Sequence, residues 1–291
     1  MRLHAPAVSI PQHIGKFIDS LPQHPVALIG CRAAKASLDC CEYDIAIFSK
    51  PGDSKVIRLN DQTVELLYLD NAKDLIVDLY GMKIIRDDNR FTLGSITKGH
   101  TEDKFRKALK AHGRKLLVSS LFCQRNAQAA AEPIISHMWT KMGAYRFISG
   151  ALALSGEKPM PTHELGQARQ LEVSDKVAEG ISSALECIGL ERATRPAITR
   201  SIEALRELVS KEYDRELVMS KIEFLLDRQM LSDCYFYIGK AAAENLSRRN
   251  EAFHRKYVKL VQLALDLTSD AQMMDKLRRS LFRAATAALG D

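Results

Sequence analysis

The hydrophobic rhythm of this chain changes near residue 100, and that change limits the fold to a mixed α/β unit followed by a helical one. Before it, apolar residues come in short runs bounded by Gly, Pro, Asn and Asp, at residues 26–29, 42–48, 55–59, 63–69 and 82–85. Runs of this length, rich in β-branched and aromatic residues, predict strands. Only Asn60-Asp61 separates two of them, so 55–59 and 63–69 should pair antiparallel. Residues 9–21 predict a short helix with Ser9 as cap, Pro11 in its first turn, and Ile14, Phe17, Ile18 and Leu21 on one face. A second helix is predicted over 71–80. After residue 100, Gly and Pro thin out while Ala, Leu, Glu, Lys and Arg recur at helical spacing. The expected helices run from Thr101 toward Leu121, over 125–155 with a break near Pro133, then over 174–188 closed by Gly189, 196–211, 215–230, 233–248, and from 251 to near the end. The predicted class is α+β: a mixed sheet with flanking helices over 1–98, then an all-α bundle over 99–291. The Pro159-Met160-Pro161 break marks a candidate subdivision of the bundle near 159–172.

A length of 291 residues suits one large domain or two ordinary ones. Hydrophobic residues at 46% and charged residues at 27% match a soluble globular chain, and no apolar run reaches bilayer length. Arg2, His4, Pro6 and Pro11 interrupt the apolar core that a signal peptide needs. The expectation is a cytoplasmic protein without a membrane partner. A net charge of +6 favours polyanions such as nucleotides, RNA or acidic protein surfaces without choosing among them. The six cysteines, Cys31, Cys40, Cys41, Cys123, Cys187 and Cys234, contain no C-x-x-C pair, so a reduced set is expected rather than a zinc site.

Chemistry concentrates at Gly30-Cys31-Arg32 and Glu42-Tyr43-Asp44-Ile45. Gly30 ends the first apolar strand in a tight turn with backbone N–H groups to offer. Twelve residues later, Glu42 and Asp44 occupy alternate positions of the 42–48 strand, so with Ala46 they share one face, while Tyr43, Ile45 and Ile47 take the other. Paired acids beside such a turn suit two divalent cations gripping a triphosphate. Glu65 stands within the apolar run 63–69 as a third acid, with Asp70 at the strand end as its rival.

This arrangement resembles the signature of the DNA polymerase β-like nucleotidyltransferases: apolar–Gly–(Gly/Ser), a short helical spacer, then Asp–apolar–(Asp/Glu)–apolar. Cys31 replaces the usual Ser or Gly, and Glu42 replaces the usual first Asp. The order of a small α+β unit before a helical bundle is similar to kanamycin nucleotidyltransferase and its relatives. The resemblance implies an enzyme that binds an NTP with two Mg²⁺ ions and transfers the nucleoside monophosphate to a hydroxyl, releasing pyrophosphate. It implies Glu42, Asp44 and Glu65 as metal ligands, with Glu65 also assisting the incoming hydroxyl. By position, Gly30 and Cys31 would hold phosphate through backbone amides, helped by Arg32 and more weakly by Lys35. Lys141 and Tyr145, at i and i+4 of a helix, are candidates for the triphosphate and the base; the plain alternative is a core Tyr beside a surface Lys. The acceptor could be a small molecule, an RNA end or a protein. Cys31 and Glu42 also motivate an alternative, a weakly active or inactive nucleotide-binding regulatory module on the same fold.

Three further features carry weaker expectations. On the helix from Thr101, Phe105, Leu109, His112 and Leu116 group on one side, opposite Lys107, Lys110 and Arg114. That basic stripe is either a solvated face or a nucleic-acid contact. The placement of Cys31 at a helix start suggests a lowered thiol pKa, though no base is visible beside it. Arg249-Asn250-Glu251-Ala252-Phe253-His254 resembles the Arg–polar–x–x–x–His pattern of HEPN-domain ribonucleases, against the alternative of exposed residues on a helix.

Overall fold

A computed structural model describes residues 10–34, 37–50, 52–70, 75–209, 212–268 and 270–290. It is an α+β structure, a five-stranded mixed sheet with helices followed by a helical region. Two compact units divide the chain, Met1–Ala108 and Leu109–Asp291.

The first unit contains α1 (Gln12–Ser20), β1 (Val26–Ile29), α2 (Gly30–Ala33), β2 (Tyr43–Phe48), β3 (Lys55–Leu59), β4 (Gln62–Leu69), α3 (Ile76–Leu79), β5 (Lys83–Arg86) and α4 (Thr92–Gly99). The strands lie in the order β3-β4-β2-β1-β5. β2 and β4 run parallel, and the other neighbours are antiparallel. β3 and β4 form the expected hairpin, with Asn60 in the left-handed region (φ 54°) that Asn tolerates better than most residues.

Alternation along β2 sorts its side chains onto two covered faces. Tyr43, Ile45 and Ile47 join Val26, Leu28, Val64 and Leu66 in a layer closed by Ile14 and Ile18 of α1. Ala46 joins Ala27 and Ile29 on the opposite face, under Leu79, Met82 and Leu93. Asp44 and Glu65 belong to this second face, one step beyond its apolar layer.

Some boundaries differ from expectation. Pro11 occupies the N-cap of α1, and Ser9 and Asn71 lie outside the described residues. The helix expected over 71–80 is represented among the described residues by α3, four residues long. Glu42 precedes β2 rather than beginning it. α4 was not expected, because its Gly-containing sequence carries little periodicity. Side chains fix its start: Asp87 accepts from Leu93 N at 3.0 Å and Gly94 N at 2.9 Å, and Asp88 accepts from Thr92 N at 3.0 Å.

In the second unit, α5 (Glu102–Ala129, beginning in the first) is followed by α6 (Pro133–Leu154), α7 (Glu164–Gln170), α8 (Asp175–Ile188), α9 (Arg195–Leu208), α10 (Glu212–Asp227), α11 (Leu231–Ser247), α12 (Glu251–Lys256), α13 (Val258–Ala264) and α14 (Ala271–Gly290). α6 is buried on nearly all sides, as expected of a helix that is apolar all round, and packs against α8, α14, α11 and α13. Among the described residues, the single helix expected beyond 251 is three. Tyr257 leaves helical geometry (φ −112°, ψ 36°), and Asp266 adopts a positive φ of 46° after α13.

The buried stripe of α5 is also corrected. Leu109, Gly113 and Leu117 face inward, whereas His112 is exposed and Phe105 and Leu116 are half-buried. The cause is close antiparallel packing on α6: Ser120 Oγ donates to Gly143 O at 2.8 Å, and Ser136 Oγ donates to Ala127 O at 2.8 Å. A Cβ on Gly113 would stand 2.8 Å from Leu154 N and 2.9 Å from Gly150 O. Helix propensity alone favours Ala over Gly by about 1 kcal/mol in a helix interior. The crowding reverses that sign, so Gly113→Ala should lower the denaturation midpoint in urea; an increased midpoint would show that the two helices do not approach this closely.

Candidate functional site

The candidate site follows from strand register. Asp44 of β2 pairs with Ile29 of β1 on one side and with Glu65 of β4 on the other. Parallel strands in register direct paired side chains to the same face, so Asp44 and Glu65 stand side by side. Glu42, two residues before Asp44, continues that face. One carboxylate oxygen from each of Glu42, Asp44 and Glu65 lies within 4.8 Å of the others. Glu42 Oε2 and Asp44 Oδ1 are shut off from solvent.

The pairing of Ile29 with Asp44 also brings the following residue, Gly30, against the Asp44 side chain. Gly30 has φ +71°, and a Cβ there would stand 1.7 Å from Asp44 Oδ2. Glycine is required twice, for the left-handed backbone and for the space the carboxylate occupies. Gly30 therefore lies against Asp44, one member of the group of three acids. Carboxylate oxygens at this spacing suit a hard divalent cation such as Mg²⁺, whose ligands are oxygens.

Arg32 has a local structural task besides the phosphate contact expected of it. Its Nε donates to Cys41 O at 2.7 Å, one terminal nitrogen donates to Asp39 O at 3.2 Å, and the guanidinium lies 4.1 Å from the Tyr43 ring centre. It holds the loop that delivers Glu42. Cys31 corrects the expected thiol acidity. A hydrogen bond with Cys41, burial and the nearby Asp44 and Glu42 charges push its pKa far above the ordinary thiol value. The shift favours the neutral thiol over the thiolate. None of the six cysteines is in a disulfide. Lys35 lies outside the described residues.

Lys141 and Tyr145 are placed inside the core of the second unit, 1% and 2% exposed. Burial removes both from contact with a nucleotide, so the role expected of them is corrected, as is the alternative of a surface lysine. Lys141 Nζ donates to the Tyr235 hydroxyl at 3.4 Å, which in turn donates to Asp266 Oδ2 at 2.7 Å, with Arg192 Nε 3.6 Å from the same oxygen. Sequence reasoning misses this cluster because a lysine within an apolar helix is ordinarily assigned to its surface.

The ribonuclease-like pattern is also corrected. His254 is 1% exposed, its Nε2 lies 3.0 Å from Leu246 O, and Trp139 packs edge-on against its ring. Asn250 caps α12 by accepting from Phe253 N at 2.9 Å. Capping and packing account for these residues, and a buried histidine cannot reach an RNA phosphate. The stripe of Lys107, Lys110 and Arg114 is exposed, and the last two line a 390 Å³ hollow that also contains Glu172.

One basic residue near the acids was missed. Arg58 of β3 pairs with Thr63, two residues from Glu65, so alternation places it on the face that carries the acids. Its signal was the same period-two spacing that located Asp44.

Comparison with protein-family models and with characterised proteins gave no match in either case. Among the described residues, no helix is long and apolar enough to cross a membrane.

Burial of Lys141 has a consequence for pH dependence. Loss of hydration, reinforced by the Arg192 charge, lowers its pKa from 10.5 to about 7. Between those values the unfolded chain binds the extra proton, so this residue makes stability rise with pH across that window. Lys141→Met should raise the melting temperature at pH 7 by several degrees, reflecting roughly a few kcal/mol, and should flatten the rise between pH 7 and 10. Calorimetric melts of both proteins across this range check the effect; a lower melting temperature for the variant at pH 7 would contradict it.

Proposed function

We propose that the protein is a metal-dependent nucleotidyltransferase, similar to the DNA polymerase β-like superfamily, that transfers a nucleoside monophosphate from an NTP to a hydroxyl. The observation that carries this assignment is the meeting of Glu42, Asp44 and Glu65 beside the positive-φ turn at Gly30. These three acids would hold Mg²⁺, two ions by resemblance. Bound there, the ions would supply positive charge to the phosphate oxygens as the transition state forms.

The chain's own groups supply the remaining steps. The Gly30 turn presents backbone N–H groups at the start of α2 to the triphosphate, and Arg32 keeps the Glu42 loop in place beside it. Asp44, locked between β1 and β4, sets the position of the site. Glu65 accepts the proton of the incoming hydroxyl as its oxygen bonds to the α-phosphorus and the bond to pyrophosphate breaks. The acceptor is a small molecule, an RNA end or a protein hydroxyl. Six cysteines outside disulfides support a reducing, cytoplasmic setting.

A second assignment, a nucleotide-binding regulatory module with little turnover, is favoured by one observation. Two of the five Arg32 N–H groups are taken by loop carbonyls, which weakens the phosphate grip expected of this side chain. Calorimetry with ATP, CTP, GTP and UTP in the presence and absence of Mg²⁺, followed by a pyrophosphate-release assay, separates the two. Mg²⁺-dependent binding with release supports the enzyme, whereas binding without release supports the regulator. For the enzyme, Asp44→Ala should reduce pyrophosphate release by about a hundredfold or more, since loss of an outer-shell partner alone typically costs about 10–100-fold. Unchanged release in that variant would remove the mechanism.

A further inference from the structure

In the second unit, α14 and the C-terminal part of α5 border an open groove of about 530 Å³, lined by Gln128, Lys276, Arg278, Arg279, Phe282 and Arg283. Ligand sites generally occupy about 300–1,000 Å³, so the space accepts a nucleotide-sized group. Of the six described lining residues, four are cationic. The buried side of α14 is Met274, Leu277, Leu281, Ala284, Ala285 and Ala288, which leaves the cationic side chains to its other side.

The cations are not equally mobile. Arg278 is 12% exposed at its side chain and is held by Asp275 at 2.8 Å and by Gln128 at 3.5 Å. Arg279 also meets Asp275, at 2.9 Å, but this pair is exposed, so a phosphate can compete for the arginine. Lys276 and Arg283 are exposed. Asp275 therefore meets two of the four cations, Arg278 and Arg279, and an aromatic ring, Phe282, stands among the lining residues. A smooth anionic surface would use the charges and leave Phe282 without a purpose. A chain of phosphates carrying unpaired bases would use both, since any base can stack on a phenyl ring while arginine forks bind phosphate.

We propose that this groove binds single-stranded nucleic acid, with phosphates on Lys276, Arg279 and Arg283 and a base stacked on Phe282. Arg278, fixed by Asp275 and Gln128, is a positioning residue that sets the groove's shape. The binding is separate from the proposed nucleotide chemistry of the first unit and does not rest on it.

Fluorescence anisotropy of the full chain with end-labelled twelve-nucleotide oligo-U and oligo-dT, between 50 and 200 mM KCl, tests the proposal. The wild type should bind both, with a log–log salt slope of about −2, as roughly three phosphate contacts on a single strand require. The double variant Arg279→Glu/Arg283→Glu should bind at least about tenfold more weakly at 100 mM KCl with a flatter slope. Phe282→Leu should lose about tenfold while keeping the slope, because it removes stacking and leaves the charges in place. Arg283→Gln gives a milder charge loss in case the double variant melts early, and should fall between it and the wild type. No binding by the wild type at 50 mM KCl would overturn the proposal, as would unchanged binding in the folded charge variants. Equal binding of a twelve-base-pair duplex or of polyglutamate, together with an inert Phe282→Leu, would also overturn it by reducing the groove to a general polyanion surface.

Discussion

Three carboxylates within 4.8 Å of one another are the constraint around which the first unit is arranged. Unit charges at that distance repel by roughly 3 kcal/mol per pair where the effective dielectric constant is about 20. The sheet opposes this through register. Asp44 is fixed on both sides, by Ile29 and by Glu65, and its neighbours Tyr43, Ile45 and Ile47 anchor β2 in a covered apolar layer. The apolar layers on the two faces of the sheet anchor the strands that carry Asp44 and Glu65. A cation placed among the oxygens would turn the same repulsion into attraction, which is the physical ground of the metal-dependent activity we propose. Gly30 completes the geometry by occupying the one backbone position where a side chain would collide with Asp44.

The helical unit solves a different problem. α6 is surrounded by other helices and still carries Lys141 in its interior. The amine reaches the Tyr235 hydroxyl, and Tyr235 and Arg192 meet at Asp266, so the polar atoms form a connected group rather than scattered losses. Close approach of α5 and α6 through small residues lets the surrounding helices share one core. The same economy of burial leaves one side of α14 rich in arginine and facing solvent.

How much of this was legible depends on the range of the interaction. The period of two along β2 is a local property, so the common face of Glu42 and Asp44 could be read directly from residues 42–48. Glu65 was legible because it interrupts an apolar run, and β2–β4 pairing then brought it beside Asp44. The division of fold into sheet and helices was similarly visible in the change of period. The tasks of Arg32 and Cys31 were not, since they depend on where the loop carrying Asp39 and Cys41 returns. Lys141 was misplaced because a helix apolar on every side has no surface face to which periodicity can assign a charge. His254 was misread because a six-residue pattern says nothing about burial. The groove on α14 was overlooked although Lys276, Arg279 and Arg283 recur at helical spacing; its shape also requires Gln128 from α5, about 150 residues earlier.

The most direct test of a metal centre is anomalous diffraction from crystals of the whole chain soaked in Mn²⁺, which occupies the same oxygen sites as Mg²⁺. A peak bonded to oxygens of Glu42, Asp44 and Glu65, within about 2.5 Å of each, is the expected result. Peaks elsewhere with none between these acids, or the three side chains directed apart, would contradict it.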